Sequence, residues 1–518
     1  MLLSIIIVIY ISWVCHSFGC LINKILQFKS ANLPELFFWK AVLGFCAIIF
    51  FASVASLFIP LGGYEIHLIL LLLSLTISFR NFSFFTDLKA FLPRNFVFIA
   101  LLIVTALLAL VMHSWFINHP DTVEYHAETI GWINRSKAIP GLSFLNHRIG
   151  YGGNWYVVSS LFSFHFAGLN ALTFINLVVP LWFISFFVKK AEEYQKKEGA
   201  VSFIIIMIFI LSFLVFSFIR LTFISASPDY ITSLFILLIL FYLLSGCNNI
   251  YILVLLIATA ITIKLFALPL IVFLIIYSLR ELMKGNLKKV IISTIFFIII
   301  LSPFVARNII TTGYAIFPYP ELQIKNARFT LPKKTAKHEK AYIKAYNRIP
   351  VDYNNLYEVK KVANLPIKEW VPIWWKNKPL ADKIFLLISL TSVLALIVLI
   401  KKIIVRGEYV LLYCIITTLS GIVFWFYYAP EIRLGGGFLL ATPALAILSY
   451  TRKRQSAKSK MQKLTRAITI LFTIVLFLYS VYRFTYYSDK NSLISPRGIT
   501  SKTSYSIDRL KQIPINND

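Results

Sequence analysis

Acidic residues are scarce: 22 Asp and Glu stand against 51 Lys and Arg in 518 residues, and charged residues together make up only 14% of the chain. Soluble globular chains carry about 25% charged residues, so a soluble fold is excluded. Cysteine is scarce as well. The five cysteines (Cys15, Cys20, Cys46, Cys247, Cys414) lie in or at the ends of apolar stretches, with no C-x-x-C. They read as small buried hydrophobes, not as a disulfide framework or thiolate metal ligands. No G-x-x-x-x-G-K-[ST], G-x-G-x-x-G or H-E-x-x-H occurs, so nucleotide-driven pumping and zincin chemistry lack support. The first 22 residues have neither a basic leader nor an A-x-A-like cleavage site, which predicts a retained helix.

Apolar residues, in contrast, make up 58% of the chain, and mean hydropathy is +0.78. Stretches such as 36–60, 95–117 and 408–428 run almost without charge, long enough to cross a roughly 30 Å hydrocarbon core. The expected fold is an all-α, polytopic transmembrane bundle of about 13–14 spans in the cell membrane. The net charge of +29 reads as helix orientation, and nucleic acid is not an expected partner. The basic segments 189–197, 280–289, 401–406 and 452–466 are predicted to be cytoplasmic. Residues 155–167 are then expected to be a short or re-entrant helix, because a full crossing there would put 189–197 outside.

This map divides the chain into N-terminal spans (1–94), a core (95–306) with a first outer loop (118–154), a large outer segment (307–380), C-terminal spans (381–484) and a polar tail (485–518). The outer face is predicted to carry 118–154, 223–229, 307–380 and 428–434. The lysines of 307–380 do not contradict this, since long loops escape the positive-inside rule.

The first outer loop places Asp121, Glu124, His126 and Glu128 within eight positions after a spanning helix. Ionisable groups beside a bilayer are functional candidates by default. A purely structural reading competes: Pro120, Asp121 and Glu124 form a capping-box pattern that starts an interfacial helix near 122–136. A cap works equally well as Ser or Thr, so Asp121 remains the foremost candidate. Asp229, in ISASPDYITSLF, has the same choice between helix start and site. Lys264 interrupts a 30-residue apolar run and needs an anionic neighbour if it lies at bilayer depth. Arg307 suits snorkelling or anion binding. Arg433, in APEIRLGGG, precedes three glycines that permit close approach to a ligand. Two acids and several cations on one face suit an anionic, lipid-borne substrate: the cations hold a phosphate and a carboxylate takes a proton from a hydroxyl.

An acidic residue in the first outer loop (Asp121), a long loop with an interfacial helix, and a later S-x-P-D-type element (Ser225, Pro228, Asp229) resemble the GT-C superfamily of membrane glycosyltransferases, which take sugars from polyprenyl-phosphate carriers. The strings DTVEYHAETIGWI, IPGLSFLNHRIGYGGNW, RNIITTGYAIFPYP and APEIRLGGGF look more closely like a family of multi-spanning bacterial membrane proteins of unassigned activity. The resemblance implies Asp121 as base and Asp229 as a second acidic site residue, with Lys264 and Arg433 contacting the carrier phosphate. From their own positions beside the spanning helices, Glu124 is a further acidic candidate, and His126 and Arg307 are further candidate substrate contacts. The implied partners are a polyprenyl-phosphate-linked sugar and a glycan, lipid or protein acceptor. Many superfamily members carry adjacent acids or a metal-binding pair in the first loop, whereas two residues separate Asp121 from Glu124 here, so the need for a divalent metal stays open. No nucleotide or redox cofactor is expected. The alternatives are a polymerase or ligase acting on lipid-linked oligosaccharide, and a transporter of lipid-linked glycans. The latter is disfavoured by candidate charges on one face and by the lack of an evident repeat between halves.

Overall fold

A computed structural model describes residues 2–26, 35–80, 83–114, 119–168, 172–197, 199–247, 249–451 and 458–487. The polar tail from 488 onward and residues 452–457 of the last basic segment lie outside the described residues. Among the described residues the chain is helical, without a strand. Ten helices are long and apolar enough to cross a membrane, and a bent helix pair makes a possible eleventh; the protein is a multi-pass membrane protein.

In chain order, α1 (Leu2–Ile25) and α2 (Leu36–Ala55) pack as an antiparallel pair, followed by the bent pair α3 (Tyr64–Arg80) and α4 (Phe84–Phe91) and by α5 (Phe96–His113). The first loop holds a π turn (Thr122–His126), α6 (Ala127–Arg135) and α7 (Asn154–Leu161). Helical structure is therefore present over the expected 122–136, as the π turn and the largely buried α6, and 155–167 supplies a buried helix of eight residues and a 3-10 turn (His165–Ala167). Next come α8 (Phe174–Lys197), α9 (Gly199–Leu214), the single turn α10 (Ile219–Thr222), α11 (Asp229–Leu244), α12 (Ile250–Ile263), α13 (Ile271–Met283) and α14 (Leu287–Thr312). Three short helices, α15 (Lys333–Tyr346), α16 (Leu356–Ala363) and α17 (Ile367–Lys376), fold over one end of the bundle. α18 (Leu380–Val405), α19 (Tyr409–Tyr428), α20 (Ile432–Thr451) and α21 (Lys458–Tyr487) complete it.

The expected 13–14 spans reduce to ten or eleven among the described residues, because α9, α11 and α12 are only 16, 16 and 14 residues long. At about 1.5 Å per residue they rise roughly 21–24 Å, short of a full crossing. α11 and α12 are also nearly wholly buried by other helices. Such burial lets a helix stop below the bilayer surface, because protein groups satisfy the exposed backbone where lipid could not.

The two ends of the bundle differ in character. At the end we call lower, Lys190 of α8 pairs with Glu35 and with Glu193, and Glu192 accepts the Arg94 backbone N–H (2.7 Å). Asn249, before α12, donates there to the Leu26 carbonyl (2.9 Å). The opposite, upper end carries the first loop, the segment before α11 and residues 313–379. The basic segment 189–197 and the acids of the first loop thus lie at opposite ends, as the charge pattern predicts.

Candidate functional site

The site starts from short helices. α11 begins at Asp229, and α12 ends at Ile263, after which Lys264 is extended (φ −157°, ψ 132°) and leads into a 3-10 turn. Because both helices stop early, two charged side chains meet beneath the upper surface, and the Lys264 ammonium pairs with Asp229 Oδ1. The segment before α11 is held by side chains: Ser227 Oγ accepts the Asp229 N–H (3.3 Å), and Asn176 Nδ2 donates to the Ser227 carbonyl (2.8 Å). Asn176 is itself fixed by the buried Trp155 indole (3.2 Å).

Asp121 enters from the first loop. It has helical dihedrals and its side chain makes no capping bond, so the capping-box reading fails for it. The π turn that follows brings Thr122 Oγ1 within 3.0 Å of His126 Nδ1, and the Ala226 N–H contacts the same hydroxyl (3.4 Å). This ties the first loop to the segment before α11.

Arg433, at the start of α20, closes the group. Its Nη1 donates to Asp121 Oδ2 (2.8 Å), to Asp229 Oδ2 (3.1 Å) and to His119 Nε2 (3.0 Å). The glycines after Arg433 play a different part from the expected one. A Cβ on Gly436 would lie 2.6 Å from Phe218, and one on Gly437 2.9 Å from Ile236. They let α20 approach α11 closely, and that approach delivers Arg433 to Asp229.

Four of the seven expected residues therefore meet: Asp121, Asp229, Lys264 and Arg433. His126 stands behind them, 1% exposed and packed on Tyr125 and Tyr156 (ring centroids 4.4 and 5.0 Å apart); it supports the site and is not an open substrate contact. Glu124 does not join the cluster. It pairs with Arg148, whose guanidinium lies 5.5 Å from the Tyr342 ring. Arg307 is also elsewhere: it donates to Ser56 Oγ (2.9 Å) and to the Ser56 carbonyl (3.3 Å) at the C-cap of α2. A cation at a helix C-terminus is favoured by the helix dipole, and the adjoining cavity of about 20 Å3 has room for roughly one water, not for a phosphate. Arg307 is an anchor of the fold.

His119 belongs to the site and was missed by sequence reasoning, which passed over it in HPDTVEYH. It is 7% exposed, its ring lies parallel to His126 (6.0 Å, 8°), and its Nδ1 is buried without a partner. Because Nε2 accepts from Arg433, the proton sits on Nδ1, leaving one unmatched donor. Burial, reinforced by the Arg433 charge, lowers the His119 pKa to about 4, and burial lowers that of His126 to about 3. Burial opposes charge on Asp121 too, but Arg433 outweighs it and holds that carboxyl well below the usual range.

Among the described residues, no group of three or more His, Cys, Asp or Glu is placed to hold a metal ion. His119, Asp121 and Asp229 point at one position, and that position is filled by the Arg433 guanidinium. Two carboxylates facing two fixed cations form a neutral cluster, which suits recognition of an anion that can replace a carboxylate on Arg433. Lower in the bundle, an apolar cavity of about 280 Å3 lies between α8, α9, α11 and α20. It runs from Tyr194 and Ser245 up to Tyr230, the residue after Asp229.

Residues 1–440 match the family model described as "Domain of unknown function (DUF8201)". No curated protein and no solved structure matches the chain.

Proposed function

The chain belongs to the DUF8201 family, and we propose that it is a membrane glycosyltransferase that moves a sugar from a polyprenyl-phosphate-linked donor to a hydroxyl acceptor at the extracytoplasmic face. One observation carries the reading: Asp121, Asp229, Lys264 and Arg433, from four separate parts of the chain, converge at the end of the bundle opposite the basic 189–197 segment. An apolar cavity lined along α11 from Tyr230 to its C-cap Ser245 adds support for a substrate with a lipid chain.

In this mechanism the donor phosphate binds Lys264 and Arg433, with Arg433 exchanging Asp121 for a phosphate oxygen. Release from the guanidinium raises the basicity of Asp121 at the moment a base is needed. Of the two acids Asp121 is the accessible one, with a side chain 26% exposed against 3% for Asp229. The acceptor oxygen then bonds to the anomeric carbon while its proton passes to the Asp121 carboxylate. The bond from the anomeric carbon to the phosphate oxygen breaks, and its electron pair leaves with the phosphate. Lys264 and Arg433 stabilise the charge that develops there. Asp229 stays buried and fixes both cations.

The test is turnover of a polyprenyl-phosphate-linked hexose by the purified protein in detergent, where no translocation is possible. Asp121→Asn is expected to lower turnover by roughly 10²–10⁴-fold while the protein still folds. Full activity in that variant, or none in the wild type with any such donor, sinks the proposal.

A further inference from the structure

Residues 314–376 at the upper face carry twelve Lys and Arg against five Asp and Glu. This excess lies at the end opposite the basic 189–197 segment, so helix orientation does not account for it. Much of it is ordered on α15. Lys333, Lys337, Lys340 and Lys344 follow one another at spacings of four, three and four residues, which sets them on a single helix face about 16 Å long. Like charges at such spacings repel. Among the described residues a single carboxylate, Glu321, pairs with this row, and it does so through Lys340 (3.3 Å). An anionic partner would relieve the repulsion along the row.

A line of aromatic rings runs from the stripe to the segment that follows Lys264. The Lys340 ammonium lies 5.0 Å from the Tyr319 ring centroid, and that of Lys344 lies 4.7 Å from Tyr427. Tyr319 contacts Tyr428 (6.4 Å), Tyr428 contacts Tyr427 (5.0 Å) and Phe424 (4.7 Å), and Phe424 contacts Phe266 (5.7 Å). Phe266 is two residues from Lys264. None of these rings is fully buried, and Tyr427 is 56% exposed. Ring faces carry negative partial charge and attract the polarised C–H bonds on the flat side of a pyranose, and lysines at the margin recognise carboxylate or phosphate substituents.

We infer that the row Lys333, Lys337, Lys340 and Lys344, together with the Tyr319, Tyr427, Tyr428 and Phe424 rings, forms a track for an acidic glycan that leads the acceptor to Lys264. The inference rests on the proposed transferase reading for the role of that glycan as acceptor. Binding itself is measurable without turnover.

The experiment titrates the purified full-length protein with a galacturonate hexasaccharide and with a neutral cellohexaose, following intrinsic fluorescence. The acidic oligomer is expected to bind at least tenfold tighter, and to weaken as salt rises. Lys333→Gln/Lys337→Gln and, separately, Tyr427→Ala are each expected to weaken it about tenfold, whereas Lys284→Gln, between α13 and α14 at the lower end, leaves it unchanged. Equal affinity for both oligomers, or binding of neither, overturns the inference. So does a double-lysine variant that keeps full oligomer binding but loses affinity for vesicles of anionic lipid, because the stripe would then be a membrane contact. A transferase that fails on every donor but binds the acidic oligomer in this way would overturn the reaction and leave the track standing.

Discussion

At the scale of single residues, the site is governed by one guanidinium shared among three acceptors. Arg433 keeps Asp121 ionised and favours neutral His119, so the charge state of the resting site is set by contacts a few ångströms long. The same contacts give stability a pH dependence. In the unfolded chain His119 and His126 take up protons near pH 6.5, whereas in the folded protein they stay neutral down to about 4 and about 3. Between these limits the unfolded state binds more protons, so stability falls as pH falls. Each ring contributes on the order of 1–2 kcal/mol between pH 7 and pH 5. Asp121, held low, loses its contribution only in stronger acid. We expect the Tm in detergent to drop between pH 7 and pH 5, and His119→Asn to reduce the slope. An unchanged Tm over that interval would contradict the buried, neutral rings.

At the scale of elements, glycines on a helix control charges that they never touch. Gly437 lies where a Cβ would come within 2.9 Å of both the Ile236 side chain and the Ser233 backbone. Gly437→Val must therefore push α20 away from α11, and with it Arg433 from Asp229. Overpacking of this kind costs about 1–3 kcal/mol. The expected result is a lower Tm together with loss of transfer, although no charged group has changed. Full activity and an unaltered Tm would mean that the two helices tolerate separation. The early stops of α11 and α12 work in the same direction, since helices of full crossing length would carry Asp229 and Lys264 out toward bulk water, where their pairing would be worth little.

At the scale of the whole molecule, the charge pattern separates two faces, and the proposed reaction requires the upper one to be extracytoplasmic. Lys334→Cys on α15 is expected to react with a membrane-impermeant thiol reagent in intact cells. Lys284→Cys, between α13 and α14, should react only after permeabilisation. The native cysteines are buried or half-buried, so labelling above the parent protein reports the new site. The reverse pattern would remove the extracytoplasmic assignment.

The sequence by itself determined the class of molecule, the approximate positions of its long apolar helices and the separation of acidic loop from basic segment. These follow from hydropathy and local charge, which the bilayer reads segment by segment. It also pointed to Asp121, Asp229, Lys264 and Arg433, because ionisable groups beside long apolar runs are costly unless paired. Only the tertiary structure decided which of them share a partner. Arg307 and Glu124 are candidates in the chain beside Arg433 and Asp121, yet each finds a different neighbour, Ser56 and Arg148. His119 lay unnoticed because its significance comes from Arg433, 314 positions away. Pairing across such distances depends on how closely helices pack, and that was fixed by glycines whose purpose the local sequence did not disclose.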